Sequence, residues 1–303
     1  MKKFKIIDRL KRLVFPGFDG IPIYNVLDFF FKGIVNGNLT TRASAISFSL
    51  FLALFPAIIF IFTLIPFIPI ENFQDILLGL IHDVIPNKAW DAVESTVIDI
   101  IKRPRGGLLS LGFVLALFFA TNGINSMIDA FNASYHTMDF RGIFMQRWVA
   151  IVLVFVLAIL LIIAIATITV GTAFFNYLDE MDWFHDHFII QLIQWVRWVV
   201  LVALTYFGIS FVYYWGPAKK RPFKFFSAGS SLATLFMMII NIGFNFYANN
   251  MAQYNALYGS IGTLLLILLW VYFNSIILLI GFELNASIYN AGKKINRLNT
   301  KKK

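Results

Sequence analysis

The sequence predicts an all-α polytopic membrane protein with six transmembrane helices and additional amphipathic helices at the interface. Three observations lead there. Of the 303 residues, 59% are hydrophobic and 14% charged, with a mean hydropathy of +0.76; a soluble domain carries about 25% charged residues. Six apolar segments reach the ~20 residues that a helix needs to cross hydrocarbon. The segments between them alternate between basic and base-poor. A chain this apolar cannot surround one water-facing core with enough polar surface, so lipid is its solvent.

Residues 1–43 are expected to be cytoplasmic and interfacial. In "MKKFKIIDRLKRLVF", Phe4, Ile7, Leu10 and Val14 recur at helical spacing among lysines and arginines. That pattern suits a helix lying on an anionic membrane surface. It does not suit a signal peptide, because no apolar core of about 7–15 residues follows the charges. A second helix of this kind is "YNVLDFFFKGIV". The first span covers Ser44–Pro69, where Pro56 and Pro66 predict kinks. Residues 70–106 form a long extracytoplasmic loop with two amphipathic stripes separated by Pro86. Phe73, Ile76, Leu77, Leu80, Ile81 and Val84 make one, and Val93, Val97, Ile100 and Ile101 the other. They are read as a lid over a cavity or as helices packed on headgroups. The remaining spans are Leu108–Phe131, Trp148–Phe175, Ile189–Trp215, Phe226–Tyr247 and Leu257–Ser287. Residues 291–303 are a basic cytoplasmic tail. The whole chain reads as a single integral membrane domain, with no strand periodicity, fixed-length repeat or soluble domain.

Charge sets the orientation. Eight basic residues, Lys2 through Arg42, precede the first span. Arg141 and Arg147 lie between the second and third, and Lys219, Lys220, Arg221 and Lys224 between the fourth and fifth; six more basic residues follow Ala291. On the other face, "DEMDWFHDH" has no Lys or Arg and "ANNMAQYNA" has no charge. The first loop departs from this with Lys88, Lys102, Arg103 and Arg105 against six acids, but long loops translocate with less regard to charge. Both termini are therefore expected in the cytoplasm. Lys219, Lys220 and Arg221 are the candidates for contact with anionic headgroups there.

Polar residues inside the spans supply the other candidates. The second span ends with Asn122, Asn125, Ser126, Asp129 and Asn132, on one helical face. The fifth carries Ser227, Ser230, Ser231, Thr234, Asn241, Asn245 and Asn249; the sixth carries Ser260, Thr263, Asn274 and Glu283. Polar atoms in hydrocarbon need partners, so these stripes should face the bundle interior. They either join helices or line a cavity for a headgroup or solute. Taken together they favour a cavity lined by Asn122, Asn125, Asp129, Asn241, Asn245 and Asn274. Asp129 lies roughly 32 Å along its helix from Leu108, near the cytoplasmic boundary. Arg197 lies beside Trp195 and Trp198, a setting for an interface belt.

Several chemistries find no support. The chain has no cysteine, so no disulfide or thiolate site is expected. Its four histidines, His82, His136, His185 and His187, are scattered, and His185 and His187, in a short acidic loop, read as solvated residues rather than metal ligands. No GxxxxGK[ST] motif is present. No cofactor, no enzyme activity and no nucleic-acid partner is expected: the carboxylates a nuclease would need gather in the outer loops, and the cytoplasmic loops are short.

Three segments resemble a known family. "TTRASAISFSLFLALFP" (Thr40–Pro56), "GGLLSLGFVLALFFATNGINSMIDAFNASY" (Gly106–Tyr135) and "LYGSIGTLLLILLWVYFNSIILLIGFELNA" (Leu257–Ala286) are similar to the YihY/virulence factor BrkB family of bacterial inner-membrane proteins. Phe282 stands where that family usually has a small residue, and the loop between the second and third spans is less basic than usual. The resemblance implies six helices and an inner-membrane location. Members have been named for serum resistance and, misleadingly, for ribonuclease BN, and some are connected with export of lipid or lipopolysaccharide precursors. The family supplies no catalytic residue.

Glu283 closes an apolar run at the cytoplasmic mouth of the sixth span, where the helix dipole disfavours an anion in a last turn. It therefore calls for a basic partner, and Arg42, entering the first span from the same side, is the expected one, with Arg147 and Arg221 in reserve. The function expected is a transporter or flippase-like protein for an amphipathic, anionic lipid or solute. The alternative is a non-transporting scaffold in envelope assembly. Membrane lipids, through anionic headgroups at the cytoplasmic face, are the expected partners, with a second copy of the chain or an envelope-assembly protein as further candidates.

Overall fold

The computed structural model describes residues 13–15, 17–67, 74–75, 77–79, 94–95, 97–99, 101–134, 137–138, 141–180, 187–218, 225–250 and 260–300. Their order is α1 (Ile23–Asn36), α2 (Leu39–Leu64), a 3-10 turn (Ile65–Phe67), α3 (Gly106–Asn132), the strands β1 (Ala133–Ser134) and β2 (Thr137–Met138), α4 (Ile143–Glu180), α5 (His187–Trp215), α6 (Ala228–Asn250) and α7 (Ser260–Thr300). Six helices, α2 to α7, are long and apolar enough to cross a membrane. Leu161, Ile162, Val199, Ile242 and Phe246 stand exposed on them. In water each such side chain would cost roughly 25 cal/mol per Å² of apolar surface, and in hydrocarbon that cost vanishes. The chain is an all-α polytopic membrane protein.

Some boundaries differ from the expected ones. The first spanning helix begins at Leu39 rather than Ser44, which puts Arg42 inside it. Pro56 lies within α2, whereas Pro66 sits in the 3-10 turn that ends it. The last helix does not stop near Ser287 but runs unbroken to Thr300, so the basic segment after Ala291 is helical through Thr300. β1 and β2 pair antiparallel, Ala133 opposite Met138 and Ser134 opposite Thr137. Two residues per strand are too few to leave a period in the sequence. The N-terminal residues 1–12, all of the first stripe in the 70–106 loop but Leu77, and Val93 and Ile100 of the second lie outside the described residues. Of that loop, Gln74–Asp75, Leu77–Gly79, Glu94–Ser95, Val97–Asp99 and Ile101–Lys102 are helical, and Lys102 Nζ lies 2.8 Å from Asp75 Oδ1.

Contacts divide the chain into two units, Phe48–Gly123 and Met1–Ser47 with Ile124–Lys303. Within the first, α2 and α3 meet through small residues. A Cβ on Gly112 would lie 3.3 Å from the Phe60 backbone, and one on Gly123 would lie 2.6 Å from the Leu50 side chain. In the larger unit, α7 packs against α6 and α1, α4 against α5, and α5 against α6. Short α1 is amphipathic: Val26, with Phe29 and Phe30, packs on Leu284, Ile288 and Ala291 of α7. Tyr24, Phe31 and Val35 share an exposed face, as suits a helix lying at the membrane surface. A two-residue turn, Gly37 and Asn38 (φ 46°), then redirects the chain into α2. Asn tolerates that left-handed conformation better than most residues.

The α6–α7 crossing is the closest approach in this unit for which glycine is required. A Cβ on Gly229 would lie 2.1 Å from the Gly281 carbonyl oxygen, and one on Gly281 would lie 2.5 Å from the Tyr213 hydroxyl and 2.6 Å from the Gly229 carbonyl oxygen. Backbones that touch like this join helices where no hydrophobic drive separates protein from lipid. Two of the N–H groups that open α6 are also satisfied. Ser227 Oγ accepts from Ser230 N–H at 3.1 Å, and Asn285 Oδ1 accepts from Gly229 N–H at 2.8 Å. Replacing Gly281 by Ala is expected to lower stability by about 2 kcal/mol or more, the usual scale of overpacking. A melting curve in detergent checks it, and an unshifted transition would show that the crossing relaxes freely.

Candidate functional site

Near the Glu283 end of the bundle, three chain segments converge on one carboxylate. Glu283 is fully buried. Its Oε1 lies 3.1 Å from Arg42 Nη1, and its Oε2 accepts from Ser134 Oγ at 2.9 Å. Arg42 is itself nine-tenths buried, and its Nη1 also donates to the Gly37 carbonyl oxygen at 2.8 Å. The α1–α2 turn, the first turn of α2, strand β1 and the middle of α7 therefore meet at one charge-neutral point. Arg42 Nε and Nη2 have no hydrogen-bond partner among the described residues. The need for Arg42 has a different cause from the expected one. Glu283 is not in a last turn, since α7 continues to Thr300, so the helix dipole is not what demands a cation. Burial is: an ionised carboxylate out of water needs an opposite charge and donors to both oxygens.

Aromatic rings pack beside this point. Phe282 stacks on Phe131 with centroids 4.4 Å apart, and Tyr213 meets both edge-on at 5.7 and 5.9 Å. Tyr213 donates to the Leu278 carbonyl oxygen at 2.6 Å, passing over the space that Gly281 leaves open. Phe282, the departure from the family pattern, is thus a buried packing surface for the end of α3.

Loops at the same end are fastened by polar contacts. Arg141 Nη2 donates to the Pro217 carbonyl oxygen at 2.7 Å, and Asn132 Oδ1 accepts from Ala218 N–H at 2.8 Å. Burial pulls the Arg141 pKa below its ordinary value; a guanidinium remains charged regardless.

The polar-stripe candidates divide. Asn241 and Asn274 come together around one residue: Asn241 Oδ1 accepts from Trp270 Nε1 at 2.7 Å, and Asn274 Nδ2 donates to the Trp270 carbonyl oxygen at 2.8 Å. Asp129 is exposed and accepts from Gln146 Nε2 at 2.7 Å. Asn122 and Asn125 are partly buried on α3, and Asn245 is exposed on α6. Lys219, Lys220 and Arg221 lie outside the described residues.

An open cavity of about 730 Å³ lies where the 17–21 loop, the start of α6 and the end of α7 meet, with Ser227, Asn285, Lys293 and Arg297 among its lining. Sequence reasoning named Ser227 in a polar stripe but did not single out Asn285, Lys293, Arg297 or Ser134. Ala291, Ile295 and Leu298 alternating with Lys293, Lys294 and Arg297 at helical spacing could have signalled that α7 continues. Ser134 carries no signal beyond lying just after the second span. Among the described residues, no group of three or more His, Asp or Glu side chains is placed to hold a metal ion.

Six helices long and apolar enough to cross a membrane, with a buried ion pair between α2 and α7 and a glycine crossing between α6 and α7, define a polytopic α-helical membrane protein. The chain belongs to the virulence factor BrkB family, whose model matches residues 30–303. It is 29% identical over 259 residues to the ribonuclease-like protein YfkH of Bacillus subtilis (strain 168), covering 84% of this chain and 91% of that protein. It is 23% identical over 274 residues to the UPF0761 membrane protein NTHI0384 of Haemophilus influenzae (strain 86-028NP), covering 88% and 96%. A longer UPF0761 membrane protein from Psychrobacter sp. (strain PRwf-1) is 22% identical over 275 residues, of which this chain spans 48%. No solved structure matches.

Glu283→Gln leaves the Arg42 charge buried without its counter-charge. It is expected to cost about 3 kcal/mol and to lower the folded yield. Ser134→Ala removes one donor to the carboxylate and is expected to cost about 1–2 kcal/mol. Thermal unfolding in detergent measures both. Glu283→Gln at wild-type stability would mean that the carboxylate has no part in holding the bundle.

Proposed function

We propose that this protein is a bacterial inner-membrane protein, with both termini in the cytoplasm, that moves an amphipathic, anionic lipid or solute within or across the bilayer. The observation that carries the reading is a groove of about 330 Å³ in the spanning region, between α3, α4, α5, α6 and α7. Met127, Leu157, Leu161, Leu201, Met237 and Leu278 line it. Its one hydroxyl, on Thr205, bonds to the Leu201 carbonyl oxygen at 2.9 Å, so the groove offers a hydrocarbon chain contact without an unpaired polar group. A chain in this groove and an anionic group at the basic end would suit an amphiphile. The excess of Lys and Arg at that end supports its cytoplasmic placement. Energy would come from a gradient or a partner, since the chain has no phosphate-binding loop motif of its own.

A second reading, a non-transporting scaffold, is favoured by the partners of Asp129 and Asn241, which bond across to a neighbouring helix, and by Asn274, which bonds back to its own helix at Trp270. Reconstitution separates the two. The chain lacks cysteine, so Lys294→Cys reports orientation in liposomes by labelling. Transport predicts that fluorescent anionic lipids redistribute between leaflets faster than in protein-free liposomes. An unchanged rate for anionic and zwitterionic lipids alike would leave the scaffold.

A further inference from the structure

We propose that the cavity beneath the end of α7 binds a phosphate group, carried by an anionic lipid headgroup or free in solution, through Lys293 and Arg297. The choice of an anionic amphiphile as the source rests on the function proposed above; the site rests on its own geometry. Lys293 and Arg297 are one turn apart on one helical face and exposed. Like charges at that spacing repel, so an anion between them is stabilised by both and removes a local cost. Neither side chain forms an ion pair with a carboxylate among the described residues, and one carboxylate, Asp19, lines the cavity against the two cations. Lys294, the neighbouring cation, is placed differently: its Nζ lies 5.6 Å from the centre of the Phe29 ring. Lys293 and Arg297 also line a second open space of about 680 Å³ on the Phe29 side of the helix, so both are reachable from two directions.

The rest of the lining selects for an amphiphile. Ile21, Phe226, Ile288 and Ile295 supply apolar wall. Asn285 and Ser227 are already committed to each other at 2.9 Å and to the N–H groups that open α6, so they shape the floor rather than bind the guest. Lys293 and Arg297 are the cationic donors of the lining, with Asn296 beside them on the same helix. The volume of about 730 Å³ far exceeds a bare anion and falls in the range of about 300–1,000 Å³ typical of ligand sites.

Full-length protein in detergent micelles is titrated with dioleoylphosphatidylglycerol, dioleoylphosphatidylcholine or inorganic phosphate, with bound ligand read by native mass spectrometry. Phosphatidylglycerol is expected to bind more tightly than phosphatidylcholine. Lys293→Gln with Arg297→Gln is expected to weaken it by about tenfold, whereas Lys294→Gln leaves it within twofold. All three positions are exposed, and a melting curve checks that the variants fold. Displacement of phosphatidylglycerol by inorganic phosphate supports the site with free phosphate as a ligand; retention of the lipid supports the headgroup. Equal binding of both lipids, or an equal loss in Lys294→Gln, overturns the site. A site that behaves as stated in a protein that moves no lipid would sink transport and leave this inference standing.

Discussion

A carboxylate buried at 0% exposure is the constraint around which the larger unit is arranged. Taking Glu283 out of water costs several kcal/mol, and only an opposite charge with good donors offsets it. Arg42 meets the demand from α2 and Ser134 from the strand after α3. Both contacts therefore tie distant parts of the chain to α7. The Arg42 guanidinium in turn holds the Gly37 carbonyl oxygen, which fixes the turn that lays α1 along α7. A buried pair of this kind adds little net stability over apolar packing, but losing either partner is expensive. It specifies which segments meet.

Dispersion and close backbone contact do the remaining work. Lipid surrounds the spans, so burial of apolar surface between helices has little of the drive it has in water. The Gly229–Gly281 crossing and the stacked Phe131 and Phe282 rings supply contact area instead. Tyr213 links the two, since its ring packs on the aromatic pair and its hydroxyl reaches the α7 backbone over Gly281.

Much of this was legible in the sequence, for physical reasons. Six apolar runs predict the spans because hydrocarbon thickness fixes a minimum length. A lone Glu283 in such a run predicts a cation, and Arg42 answers to it because it enters the first span from the same side. Ser134 was not legible, because a two-residue strand has no periodicity and a serine after a helix has many roles. The extension of α7 was missed because charge was read as a tail, although apolar Ala291, Ile295 and Leu298 continue its helical stripe. Asn241 and Asn274 were legible as groups in need of a partner, but not the shared Trp270, whose indole N–H is polar while its body reads as apolar. Residue type sets the need for a partner; only the fold determines who answers it.

Arg42 and Glu283 act as one unit. A double-mutant cycle with Arg42→Gln, Glu283→Gln and the double variant, read by unfolding in detergent, tests it most directly. Each single substitution is expected to cost about 3–5 kcal/mol and the double clearly less than their sum, with a coupling of about 2 kcal/mol. Additive losses would contradict it and reduce the contact to two neighbours with separate roles.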